Sequence, residues 1–256
     1  MVGLPVVDAT AAYWLLAFAL VVVLFVLQVR SISWTQVARW QPAVLIASSI
    51  CAIAVFAKLA SEVREHETGE LDRAVSLAVH RLDSAPLDAV MKFASFLGSF
   101  PVAAAVVIAA AIWQLRRQDR PGALMIVGVS VTAELCNLAL KETFQRTRPS
   151  LFQEIATLHS YSFPSGHAMG SAAVYGALAV AVARGEPRWR NQALALASAL
   201  VLLIGFSRIY LGVHWLTDVL AGWAAGLAIA LMGALLLDLR RLPSRGPAAG
   251  GRASGQ

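Results

Sequence analysis

Charge is scarce in this sequence. Only 14% of its 256 residues are Asp, Glu, Lys or Arg, against 58% that are hydrophobic, where an ordinary soluble domain carries about 25% charged residues. That shortage excludes a disordered chain and argues against a soluble enzyme. A mean hydropathy of +0.67 points instead to a chain that crosses a membrane several times. Cysteine is nearly absent too. Cys51 and Cys136 both lie inside apolar runs, offer neither a disulfide framework nor zinc-ligand spacing, and read as small core residues. The net charge of +6 would suit nucleic acid in a soluble protein. Here the basic residues sit in short loops between apolar runs, so they read as topology signals and no nucleic-acid partner is expected.

What is present is a succession of apolar runs: 11–29, 42–60, 101–115 with a backward extension through 93–100, 122–140, 164–184, 192–211 and 214–237. A helix needs about 20 apolar residues to cross a bilayer, and only a helix closes its own backbone hydrogen bonds there. The expected fold is therefore all-α, a polytopic transmembrane bundle. Residues 1–41 supply an extra first span and a cytoplasmic loop, 42–239 a six-span core, and 240–256 a Gly/Ala/Ser-rich disordered tail. No Lys or Arg precedes the first run, so it reads as a retained helix and not a signal peptide.

Segments 30–41, 116–121, 184–190 and the tail share one side and are rich in arginine, whereas 61–88 on the other side is mainly acidic. The arginine-rich side is then cytoplasmic, with the N-terminus outside and the C-terminus inside. Trp34, Trp40, Trp113, Trp189 and Trp215 fall near span ends, as interfacial anchors do. Segment 71–82 reads as a short surface helix with Leu71, Ala74, Val75, Ala78 and Leu82 on its apolar face. The spacings Gly166-x3-Gly170 and Gly222-x3-Gly226 permit close helix packing.

Three polar clusters interrupt the apolar pattern: Lys141 to Pro149, Ser162 to His167, and Ser207 to Asp218. The first follows a span that ends outside, the second opens the next span from that side, and the forty residues between His167 and Ser207 suffice for a helix in and a helix back. All three meet at the outer face. Lys141, Arg148 and Arg208 supply cations, and arginine forks match phosphate oxygens. Ser165, Gly166 and His167 open a helix, where free N–H groups and the helix dipole favour an anion. His214 and Asp218, at i and i+4, share a helix face. Asp218 can hold one ring nitrogen of His214 and leave the other free to attack phosphorus, while His167 can protonate the leaving oxygen.

These clusters spell Lys-x6-Arg-Pro, Pro-Ser-Gly-His and Ser-Arg-x5-His-x3-Asp. In this the chain resembles the type-2 phosphatidic acid phosphatase family, which shares a helical core with vanadium haloperoxidases. The signature covers 141–218, and with its flanking spans the resemblance reaches from about Pro42 to Leu237. It implies His214 as nucleophile, Asp218 as its partner and His167 as general acid. It implies phosphate binding by Lys141, Arg148, Ser165, Gly166 and Arg208, and catalysis with no metal or other cofactor. The expected protein is a plasma (inner) membrane enzyme acting on a lipid phosphate at the outer face: undecaprenyl pyrophosphate, phosphatidylglycerol phosphate, phosphatidic acid or a lipid A phosphate. A lipid phosphotransferase with the same site and, outside enzymes, an anion transporter or channel are the alternatives; seven apolar runs disfavour a soluble haloperoxidase. Outside the signature, Glu134 and Asn137 share a helical stripe with Lys141. Glu134 is placed to brace Lys141 or Arg208 or to act as a buried hydrogen-bonder. Glu65-His66-Glu67 reads as a solvated acidic loop, and His80 and His159 as surface residues.

Overall fold

The computed structural model describes residues 41–151 and 160–241. The expected first span at 11–29, Trp34, Trp40, His159 and the tail beyond 241 lie outside the described residues. Among the described residues there are eight α-helices and no strand: α1 (Gln41–Arg64), α2 (Gly69–His80), α3 (Ala85–Leu97), α4 (Phe100–Arg116), α5 (Arg120–Phe144), α6 (Gly166–Gly185), α7 (Arg190–Tyr210) and α8 (Leu216–Arg241), with a 3-10 turn at Pro187–Trp189. Helices α1, α5, α6 and α8 are each long and apolar enough to cross a bilayer, and so is α7 taken with its 3-10 turn. The α3–α4 pair, bent by 51°, counts as a sixth candidate when the two helices are taken together as one span. The bend has a local cause. Pro101 stands in the first turn of α4 and cannot continue a helix from α3, because it lacks an N–H and its ring clashes with the carbonyl one turn back.

Helices α6 and α8 form the centre. Their apolar windows are 56% and 67% buried within the protein, against 33% for α1 and α5. The buried face of α6 is built from Ala168, Ala172, Ala173, Ala177 and Ala181. On α8, a Cβ at Gly226 would stand 2.3 Å from the Met169 carbonyl, and one at Gly222 2.8 Å from that of Ser165. Small residues let the two backbones approach, which is how helices associate where lipid removes most of the hydrophobic drive. The Gly222/Gly226 spacing thus has the packing role expected of it, whereas Gly170 faces open space.

Two expectations need correction. Cys51 is exposed on α1, on the same helix as exposed Ile50 and Ile53, so it is not a core residue. In a membrane, lipid-facing and core-facing positions are both apolar, so an apolar run does not say which face is buried. Helix α2 exists as expected, but its most buried residues are Asp72 and Ser76, while Ala78 and Leu82 of the expected stripe are exposed. The helix is held down by polar contacts at Asp72 together with Val75 and Val79, which pack partly buried against Ala168, Ile209 and Val219.

The two ends of the bundle differ. At one end, the chain around Thr68–Asp72, residues 145–151 with 160–165, and the α7–α8 turn all touch one another through Arg146 and Arg148. At the other, Arg117 pairs with Glu186 at 2.8 Å and Arg184 with Asp238 at 2.8 Å. The three polar clusters therefore do meet at a single end.

Candidate active site

Helix α5 delivers the first cluster. Its last turn carries Lys141, and the helix stops at Gln145, whose left-handed φ of 46° lets its N–H bond back to the Lys141 carbonyl. The chain then turns across the bundle, bringing Arg146 and Arg148 over the α7–α8 turn. Phe163, fully buried between Phe144 and Phe56, anchors the returning strand of this loop against α5 and α1. Asn137 donates to the Pro164 carbonyl at 3.3 Å, so the lower member of the Lys141 stripe positions the start of α6. Glu134 is exposed; its charge reaches Lys141 from the surface of α5, and it is not the buried hydrogen-bonder of the alternative reading.

Ser165 caps α6. Its hydroxyl accepts from the Ala168 N–H at 3.5 Å, and its own N–H donates to the Asp218 carbonyl at 3.0 Å. Gly166 and His167 follow as the first helical residues, whose N–H groups have no partner within a helix. Gly166 lies against Asn137, whose Oδ1 would stand 3.0 Å from an added Cβ. His167 faces the α3–α4 elbow: a Cβ on Gly98 would come within 3.2 Å of its ring. The bend between α3 and α4 therefore shapes the His167 side of the site.

The last turn of α7 carries Arg208, which is buried and donates to Ser95 of α3. Its carbonyl accepts the N–H groups of Val213 and His214 at 3.1 and 3.3 Å. Gly212, at φ 65°, supplies the left-handed residue this tight return requires. His214 thereby lands buried at the mouth of α8. Its Nε2 faces the Arg148 guanidinium at 3.2 Å, and its Nδ1 lies 3.5 Å from Asp218 Oδ2 without a formed hydrogen bond. Contacts of this kind often tighten only when substrate binds. Burial, and then the charges of Arg208, Arg148 and Lys141, hold the His214 pKa well below the ordinary histidine value. The ring is neutral at rest and keeps a lone pair on the nitrogen that meets the cations.

Arg148 is itself fixed on four sides. It donates to the Ser160 carbonyl and hydroxyl at 2.8 and 2.9 Å, to the Val213 carbonyl at 2.7 Å, and to the Tyr161 carbonyl at 3.4 Å. Lys141 donates to that same Tyr161 carbonyl. Every signature residue is thus at one end of the bundle, and Lys141, Arg148 and Arg208 all act on His214 and His167. Three cations around a buried imidazole make an arrangement that can hold an anion beside His214.

Two residues at this end escaped the sequence reading. Arg146 bonds Asp218 Oδ1 at 2.6 Å and Asp72 Oδ2 at 2.7 Å. Asp72, from α2, accepts the Thr217 N–H at 3.0 Å and its hydroxyl at 2.7 Å. Arg146 lay inside the first polar cluster, and Asp72 and Ser76 at i and i+4 marked a polar face on α2. Those were the available signals. Among the described residues no group of three or more His, Cys, Asp or Glu side chains is arranged to hold a metal.

Comparison with known proteins agrees with this geometry. Residues 122–241 match the PAP2 superfamily. Phosphatidylglycerophosphatase B of Bacillus subtilis is 35% identical over 179 residues, covering 68% of this chain and 87% of that protein. The undecaprenyl-diphosphatase BcrC of the same organism is 28% identical over 172 residues, 64% of this chain and 83% of its own length. Among solved structures, that of a transmembrane PAP2-type phosphatidylglycerolphosphate phosphatase from Bacillus subtilis superposes with a TM-score of 0.69 at 29% identity, covering 80% of this chain and 100% of that one. With the long apolar helices and the convergent signature, these similarities establish that the chain belongs to the PAP2 superfamily as an integral, multi-pass membrane lipid phosphatase.

Proposed function

We propose that the protein hydrolyses a lipid phosphate at the outer face of the plasma (inner) membrane through a phosphohistidine on His214, without a metal. The observation that carries this reading is the placement of the His214 ring, with Nε2 turned to Arg148 and Nδ1 to Asp218. Phosphate sits among Lys141, Arg148, Arg208, the Ser165 cap and the free N–H groups of Gly166 and His167. Nε2 attacks phosphorus as the lipid P–O bond breaks, and His167 gives its proton to the departing oxygen. Water, deprotonated by His167, then attacks the phosphohistidine and releases inorganic phosphate. Asp218 holds the ring and balances its positive charge in the transition state.

Similarity to phosphatidylglycerophosphatase B over most of its length supports phosphatidylglycerol phosphate as substrate. The likeness to BcrC supports a second reading, undecaprenyl pyrophosphate. Phosphate release from each of these, from phosphatidic acid and from a lipid A phosphate separates the possibilities, and addition of an acceptor lipid distinguishes hydrolysis from phosphotransfer. Turnover is expected to persist in EDTA, because the cations are supplied by side chains. Vanadate, which adopts a five-coordinate geometry, is expected to inhibit competitively. Loss of all turnover in EDTA with recovery on adding magnesium overturns the metal-free reading.

The orientation is tested by labelling. In a background without Cys51 and Cys136, Glu67→Cys and Ser150→Cys are expected to react with an impermeant thiol reagent in intact spheroplasts, and Arg188→Cys only after permeabilisation. The reverse pattern inverts the topology inferred from the arginine-rich loops.

A further inference from the structure

Behind His214 the site is backed by a charge relay that the signature does not contain. Asp72 and Asp218 are 1% and 0% exposed, and one guanidinium, that of Arg146, binds both. Its Nη1 reaches Asp218 at 2.6 Å and Thr217 Oγ1 at 2.8 Å; its Nη2 reaches Asp72 at 2.7 Å and Thr68 Oγ1 at 3.1 Å. The Arg146 guanidinium also lies 5.8 Å from the centre of the Trp215 ring. Asp72 in turn holds the first turn of α8 through the Thr217 N–H and hydroxyl, while Asp218 Oδ2 accepts the Trp215 N–H at 2.9 Å. Thus Asp218, the residue facing Nδ1 of His214, is oriented from one side by its own helix and from the other by Arg146.

We propose that Arg146 and Asp72 are positioning residues for the His214–Asp218 pair, and that helix α2 takes part in the active site through Asp72. This rests on the reading of His214 as nucleophile. The geometry supports a dual role. Removing an ion from water is costly unless it is paired and hydrogen-bonded, and two buried carboxylates so near each other require a shared cation. Burial pushes the Asp72 pKa up, and Arg146 and Thr217 oppose that rise. Arg146 therefore keeps Asp218 in acceptor form and fixes its rotamer, and Asp72 fixes Arg146. A lone surface ion pair would contribute little, but here the pairs are buried, bonded at both ends and one residue removed from the reacting nitrogen.

The charges predict opposite electrostatic signs. His214 is faced by Asp218 from α8, Lys141 from α5, Arg148 from the following loop, His167 from α6 and Arg208 from α7. Removing the positive charge of Arg146 makes the surroundings of the ring more negative and favours its protonation. Removing the negative charge of Asp72 does the reverse.

The test compares Arg146→Gln, Asp72→Asn and the double variant in full-length detergent-purified protein, with the pH profile of kcat/KM as the main readout. The acidic limb is expected to move to higher pH in Arg146→Gln, to lower pH in Asp72→Asn, and back towards wild type in the double variant. In each single variant kcat is expected to fall about 10–100-fold, as for other partners that orient a functional histidine, with inhibition by inorganic phosphate little changed and partial recovery in Arg146→Lys. A general loss of packing would not shift the limb in opposite directions. Limbs that move together or not at all overturn the positioning role. If Arg146→Gln does not fold, Asp72→Asn decides alone: an unmoved limb and an unchanged kcat overturn the proposal. His214→Ala is measured beside them. Turnover surviving there overturns the underlying reading, whereas turnover lost there with unmoved limbs in the charge variants overturns only the role of Arg146 and Asp72.

Discussion

His214→Ala is expected to form no covalent phosphoenzyme and to lose about 10⁴-fold or more in kcat, the scale on which removal of a nucleophile or its orienting partner is felt in other covalent enzymes. The expectation follows from position and charge state together. The ring is buried, its Nε2 meets Arg148 at 3.2 Å, and the burial and neighbouring cations that depress its pKa favour an unprotonated ring at neutral pH. For the same reason the acidic limb of kcat/KM in the wild-type protein is expected below the ordinary histidine range, because protonation of His214 removes the nucleophile. Asp218→Asn keeps the nitrogen but disturbs its orientation, so phosphoenzyme still forms, only slowly. Rapid quench with labelled substrate reads all three proteins. Acid-labile phosphoenzyme persisting in His214→Ala overturns the assignment of the two histidines.

His167→Ala is expected to fail at a different step. The first turn of α6 places His167 beside the α3–α4 elbow, from where it is proposed to protonate the leaving oxygen. Loss of a general acid typically costs about 10²–10⁴-fold. The cost is expected to be largest with a lipid alkoxide leaving group and to shrink with an aryl phosphate of an acidic phenol, whose oxygen leaves without a proton. The comparison is the ratio of wild-type to variant turnover on the two substrate types. A ratio equal for both would remove His167 from protonation of the leaving group.

Much of this protein is legible without coordinates. Its five long apolar helices follow from run length, because a bilayer admits only backbone that closes its own hydrogen bonds. The direction of successive helices sends the residues around Lys141, His167 and His214 to one end, whatever the tilt or packing of each helix. The Gly222/Gly226 spacing permitted a close contact, but so did Gly166/Gly170, and only the structure separates them. The tertiary structure alone decided the rest. Which side of α1 faces lipid was not readable, and Cys51 fell on the wrong side of that line, because lipid and protein core make the same demand for apolar side chains. The bend between α3 and α4 has a local signal in Pro101, but that the elbow would lie against His167 depended on how α3 and α7 pack. Arg146 could be seen as one more charge in a basic cluster and Asp72 as one acid among many in an acidic loop. Their partners are 72 and 145 residues away in the chain, and nothing local to either residue encodes such a pairing. A buried charge is defined by what surrounds it, and that is set only when helices from distant parts of the sequence have packed.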